Sequence, residues 1–173
     1  MAGPSRRVME AQALNRRAVA EIAAGLERRG WRLGVAESCT GGLVSHLLTE
    51  RAGISRVLLG GVVAYSNRAK ERLLGVSASQ LAAAGAVSAE VVRAMASGAA
   101  HLFGADCAVA VSGIAGPGGA TERKPVGTVW IGWCWPGGAR EERHQFAGSR
   151  SAIKRQAATA ALAGLREAVR EAR

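Results

Sequence analysis

Aromatic residues are scarce in this chain of 173 residues, with two Phe, one Tyr and four Trp making up 4%. That argues against stacking platforms of the kind that hold single-stranded nucleic acid, and no zinc-finger spacing or Arg-Gly repeat replaces them. Cysteine is limited to Cys39, Cys107 and Cys134. They form no CxxC pair and leave one thiol over from any single disulfide, as expected in a reducing cytoplasm. No apolar run approaches the roughly 20 residues of a membrane helix. The N-terminus lacks the apolar core of a signal peptide, so no membrane association is expected. The three histidines, His46, His101 and His144, are dispersed and show no metal-ligand spacing. None of them neighbours a serine motif as a triad member would.

Hydrophobic residues make up 49% and charged residues 21%, enough for a real core and too apolar for long-range disorder. One domain over 1–173 is expected, without repeat or linker. The formal net charge is +10. Its carriers cluster in the first helical segment (Arg6, Arg7, Arg16, Arg17, Arg28, Arg29, Arg32) and the last (Lys154, Arg155, Arg166, Arg170, Arg173). Both segments also carry apolar stripes at helical spacing, so these cations read as solvated outer faces that attract anions in general. Nucleic acid is not the expected partner.

The periodicity predicts helices over 7–29, 41–51, 67–74, 77–84, 88–103 and 151–172. Strands are predicted at 31–36, 57–65 and 106–112, with a hairpin of 126–135 and 141–147 turning at Pro136-Gly137-Gly138. The run 57–65 is almost continuously apolar, which predicts burial on both faces. Helices interspersed with buried strands give an α/β class, a three-layer α/β/α sandwich on a mixed, mostly parallel sheet.

Three loops at predicted strand ends carry the chemistry. Ala36-Glu37-Ser38-Cys39-Thr40-Gly41-Gly42 places hydroxyls, a thiol and a glycine pair at a strand-to-helix junction. A nucleophile there is exposed, and the N–H groups opening the next helix can meet an oxyanion. Ser38 or Thr40 reads equally well as an ordinary helix cap. Tyr65-Ser66-Asn67-Arg68-Ala69-Lys70 supplies a phenol and an amine as proton acceptors, and the amine must lose its usual charge to serve. Ser112-Gly113-Ile114-Ala115-Gly116-Pro117-Gly118-Gly119, followed by Lys124-Pro125-Val126-Gly127-Thr128-Val129, offers backbone N–H groups to an anion, without P-loop or dinucleotide spacing. Gly148-Ser149-Arg150 at the last helix's start is a weaker anion site.

These blocks, with Gly-Ala-Val-Ser at 85–88, occur in the order that resembles the CinA C-terminal domain family, over about residues 8–170. Its stand-alone members are nicotinamide-nucleotide amidohydrolases, and the lack of a molybdopterin-binding-like N-terminal domain suits that form. The resemblance implies hydrolysis of the carboxamide of nicotinamide mononucleotide (NMN) to the nicotinate nucleotide and ammonia, in pyridine-nucleotide salvage. No metal or organic cofactor is implied. Ser38 takes the place of the nucleophile, Lys70 of its general base and Tyr65 of a relay or positioning group. Cys39, Thr40, Gly41 and Gly42 fall at the oxyanion site. Asn67, Ser112, Gly113, Gly116, Gly118, Lys124 and Arg150 fall at the substrate, with the glycine loop near the phosphate. Cys39 remains an alternative nucleophile, although a lysine base suits an alcohol better. Arg68 and Arg123 stand where some relatives are acidic, which bears on surface charge alone. A homo-oligomer, dimer favoured, is expected. The competing readings are a DNA-associated competence or damage-inducible accessory protein and a catalytically silent interaction module.

Overall fold

The computed structural model describes residues 6–172; Met1–Ser5, Arg173 and the side chains of Arg6, Arg7 and Val8 lie outside the described residues. The elements run α1 (Arg6–Arg29), β1 (Leu33–Glu37), α2 (Leu43–Thr49), a 3-10 turn (Ile54–Arg56), β2 (Leu58–Val63), α3 (Asn67–Leu74) and α4 (Ala78–Ala84). Then follow α5 (Ala89–Phe103), β3 (Cys107–Gly113), β4 (Thr128–Trp135), β5 (Gly138–Gln145) and α6 (Arg150–Glu171). Serine hydroxyls accept backbone N–H bonds at the starts of α3, α4, α5 and α6, through Ser66, Ser77, Ser88 and Ser149. None of the helices described is long and apolar enough to cross a membrane.

The five strands form one sheet in the order β2-β1-β3-β4-β5. β2, β1 and β3 are parallel, and the hairpin partner β4 alone runs against the others, giving the expected mixed sheet. Strand residues alternate between faces, and here odd and even numbers separate them. Leu33, Val35, Cys107, Val109, Val111, Val129, Ile131 and Trp133 pack against α1, α2 and α6. Ala36, Ala108 and Ala110 face α3, α4 and α5 instead. That second face is almost bare of side chains, so α5 lies directly on the sheet. A Cβ on Gly34 would stand 3.0 Å from the Ala99 carbonyl, and one on Gly132 would stand 2.8 Å from that of Val92.

Two expectations are corrected. The apolar run at 57–65 is not buried on both faces: β2 is an edge strand whose residues alternate, with Leu59 and Val63 44% and 47% exposed. Double burial requires helical cover over both faces, and the cover on β2 is incomplete. The hairpin turn also uses only Pro136-Gly137, since Gly138 already pairs with Trp135.

Candidate active site

From β1 the chain leaves through α2 to β2 on one side, whereas β3 leads to β4 on the other. The carboxyl ends of β1 and β3 therefore diverge into a crevice, the usual ligand site of an α/β sheet. A cavity of about 230 Å³ opens there, lined by Ser38, Cys39, Tyr65, Asn67, Lys70, Ser112, Gly113, Gly116, Gly118 and Arg150. Its apolar wall is Ala86, Val87, Ile114 and Ala115. Ala86 and Val87 belong to the 85–88 block, whose role the sequence did not disclose. No carboxylate lines the cavity.

Strand parity sends Glu37 and Ser38 to opposite faces. The Ser38 N–H continues the ladder to the Val111 carbonyl at 2.9 Å, which fixes the residue at the tip of a central strand. Its hydroxyl faces the α3 side, 3.1 Å from Lys70 Nζ. Lys70 is 1% exposed. Its Nζ also donates to the carbonyls of Ala64 at 3.0 Å and Tyr65 at 3.4 Å. Burial pushes the Lys70 amine below its usual range, opposed by the neighbouring Cys39 thiol. With two N–H bonds held by carbonyls, the uncharged amine keeps its lone pair for the Ser38 hydroxyl. A serine hydroxyl against a desolvated lysine is an arrangement chemically able to act as nucleophile and base.

Glu37 is fully buried on the α2 side. Its carboxylate accepts from the N–H groups of Gly42, Val44 and Ser45 at 2.9, 3.1 and 2.8 Å, and from Ser45 Oγ at 2.8 Å. This side chain is the true cap of α2. The helix begins behind Gly42 with no other side-chain cap, so neither Ser38 nor Thr40 has the capping role the sequence allowed. A carboxylate directly before the Ser-x-Thr-Gly-Gly run, with helix-opening donors five to eight residues on, was the available signal. Two expected oxyanion donors are also taken, one of them by Glu37. The Gly42 N–H is held by the carboxylate and that of Gly41 by the Ser38 carbonyl, at 3.1 Å. Among the described residues no backbone carbonyl accepts from the N–H of Cys39 or of Thr40. The Thr40 hydroxyl is buried without a partner among those residues, and Thr40, Gly41 and Gly42 do not line the cavity.

Cys39 lines the cavity with a thiol pushed up to about 12, first by burial and further by the Glu37 charge. Lys154 and Lys70 pull it back only in part. The Tyr65 phenol is turned from Lys70 towards α6, where it accepts from Arg150 Nη2 at 2.8 Å. Arg150 Nη1 donates to the Gly116 carbonyl at 2.6 Å. Gly116 thus presents an acceptor at this contact, not the N–H expected for an anion, while Gly118 lies exposed at the rim. Ser112 donates to the Ala86 carbonyl at 2.6 Å and fastens the segment before α5. Gly113 is set by packing, because a Cβ there would stand 2.9 Å from the Thr128 carbonyl. Asn67 lies exposed on the cavity wall at the start of α3. Lys124 is corrected outright: it does not line the cavity, and its Nζ ties the loop to the Ala84 carbonyl at 2.7 Å. Among the described residues no cluster of three His, Cys, Asp or Glu could hold a metal.

Residues 15–169 match the model of the CinA C-terminal domain. The chain is 50% identical over 152 residues to the nicotinamide-nucleotide amidohydrolase PncC of Enterobacter agglomerans, covering 87% of this chain and 93% of that one. It is 51% identical over 149 residues to a CinA-like protein of Anaeromyxobacter dehalogenans (strain 2CP-C), covering 86% of this chain but only 36% of that longer protein. Among solved structures, the competence damage-inducible protein A of Klebsiella pneumoniae superposes with a TM-score of 0.87 at 42% identity, over 92% of this chain and 99% of that one. The competence/damage inducible protein CihA of Agrobacterium tumefaciens gives 0.85 at 36% identity, over 99% of both chains.

Proposed function

The chain belongs to the CinA C-terminal domain family, and from that premise we propose that it is a nicotinamide-nucleotide amidohydrolase acting on NMN. The observation that carries the reading is the buried 3.1 Å contact between Lys70 Nζ and Ser38 Oγ at the tip of β1. It supplies the nucleophile and base that amide hydrolysis needs. The 50% identity with an enzyme named for this activity supplies the substrate class.

Neutral Lys70 takes the Ser38 proton as Oγ attacks the carboxamide carbon. The oxyanion that forms is met by the N–H of Cys39, which lines the cavity and is held by no backbone carbonyl at the junction. Lys70 then gives its proton to the amide nitrogen, the C–N bond breaks and ammonia leaves. Water, deprotonated by Lys70, attacks the acyl carbon; Ser38 recovers the proton, and the nicotinate nucleotide departs. The thiol of Cys39 is too strongly protonated to compete at neutral pH. Tyr65 acts through Arg150, as a positioning group and not as the proton relay.

Ammonia release from NMN by the purified chain tests this. Ser38→Ala and Lys70→Ala are each expected to lower kcat by about a thousandfold or more with an unchanged circular dichroism spectrum. Normal turnover in Ser38→Ala, or no ammonia from the wild type, refutes the reading.

A further inference from the structure

Glu37 is a fully buried carboxylate beside the nucleophile that neither attacks nor moves a proton in amide hydrolysis. Helices α3, α4, α5 and α6 each open on a serine hydroxyl at the ordinary cap position. α2 instead draws its cap from a carboxylate five residues before Gly42. Burying a charge costs far more than burying a hydroxyl, even where hydrogen bonds offset it. A costlier device where a serine would cap the helix as well points to a function at that place.

The motif closes on Glu37 as a unit. Gly41 and Gly42 take left-handed φ values of 62° and 95°, which fold the chain back and aim the N–H groups of Gly42, Val44 and Ser45 at the carboxylate. Gly61 of β2 leaves room for the remaining donor, since a Cβ there would collide with Ser45 Oγ. Across the sheet, the Glu37 carbonyl accepts from the Ala64 N–H at 2.8 Å, and the Ala64 carbonyl accepts from Lys70 Nζ at 3.0 Å. Nucleophile and base therefore hang on one frame: Ser38 follows Glu37 in the chain, and Lys70 is tied to Glu37 through Ala64. The two side chains leave the tip of β1 on opposite faces. A twist that carries the Ser38 hydroxyl from Lys70 thus also pulls the carboxylate from its donors.

We propose that Glu37 is a positioning residue for the reaction, whose carboxylate holds the Ser38 hydroxyl against Lys70 from the far side of the sheet. The proposal rests on Ser38 and Lys70 being the nucleophile and base. Glu37 does not line the cavity, so its effect falls on turnover and not on binding. Misplacing a reacting pair by about 1 Å costs up to about a hundredfold in rate.

Two measurements on the full chain test it, with circular dichroism showing which variants are folded at the assay temperature. Acetylation of Ser38 by p-nitrophenyl acetate, read as p-nitrophenolate release and located by mass, reports the pair without the natural substrate. Its rate is expected to fall about ten- to hundredfold in Glu37→Ala, and less in Glu37→Gln, which keeps one oxygen for Gly42 and Val44. Ser45→Ala, which loses the hydroxyl bond alone, is expected to slow about threefold, and the exposed control Glu50→Gln to match the wild type. In ammonia release from NMN, kcat is expected to fall with the acetylation rate while KM stays within about twofold. Wild-type acetylation rates in Glu37→Gln and Ser45→Ala overturn the proposal even where Glu37→Ala does not fold. A rise in KM at unchanged kcat overturns it too, as does a wild type that is not acetylated at Ser38. Slowed acetylation in the Glu37 variants, with no ammonia from NMN in the wild type, keeps the positioning role and refutes the amidohydrolase reading alone.

Discussion

Removing the Glu37 carboxylate should cost more stability than any exposed acid in the chain. In Glu37→Ala three backbone N–H groups and the Ser45 hydroxyl lose their acceptor. Loss of a helix cap alone costs about 1 kcal/mol, and each buried unsatisfied donor adds about 1–3 kcal/mol unless water reaches it. Gly42 and Ser45 are half-buried, so part of that cost is relieved by solvent. A net loss of about 3 kcal/mol follows, or roughly 6–12 °C in Tm for a domain of this size. Glu37→Gln keeps one oxygen for Gly42 and Val44 but turns an NH2 donor on the Ser45 N–H. It should lose about 1–3 kcal/mol, less than alanine. Urea titration followed by circular dichroism reads both, with Glu50→Gln at the exposed far end of α2 as a control expected within about 0.5 kcal/mol of wild type. A loss below about 1 kcal/mol in Glu37→Ala, or equal losses in Ala and Gln, refutes the capping argument.

Four further outcomes follow from the structure. Because burial lowers the Lys70 amine, kcat/KM for the amide should rise with pH through that lowered value and level off above it; a flat profile between pH 6 and 9 that falls only with unfolding contradicts a lysine base. The same shift makes the unfolded chain bind more protons than the folded one between the lowered value and 10.5, so stability gained from this group grows as pH rises across that window. Measured against Lys70→Met, the wild type's relative stability should therefore increase with pH, and a decrease reverses the sign of the argument. Cys39 should react slowly with iodoacetamide at pH 7.5 in the folded protein, and Cys39→Ala should retain ammonia release; rapid labelling that abolishes activity transfers the nucleophile to sulfur. Gly132→Ala should lose about 1–3 kcal/mol in a thermal or urea melt, since the α5 backbone must move to admit the methyl, and a neutral result refutes the close approach of α5.

The sequence made the elements legible wherever local signals decide them: serine caps at Ser66, Ser77, Ser88 and Ser149, apolar periodicity in α1 and α6, and apolar runs in β1 and β3. It misjudged β2 because an edge position is set by strand order, which no window of residues contains. Ser38 and Lys70 were legible as chemistry, and the structure brings them together across two different strand ends. Lys124 was misplaced because a lysine after a glycine loop reads as an anion ligand until its tether to Ala84 is seen. Gly41 and Gly42 were over-read because their N–H groups are spoken for by Ser38 and Glu37, a pairing that depends on which face each strand residue takes.

The alternation of full and bare sheet faces has a consequence for how this domain varies. Odd positions of β1, β3 and β4 form a thick layer of Leu, Val, Ile and Trp, where one apolar side chain can exchange for another of similar volume. Even positions such as Gly34, Ala36, Ala108, Ala110 and Gly132 meet helix α5 with almost nothing between. A saturation mutagenesis map should therefore show tolerance flickering with a two-residue beat along each central strand. In β1 and β3 the beat ends at Ser38 and Ser112, so the reach of the nucleophile towards Lys70 is set by the thinness of the layer beneath it.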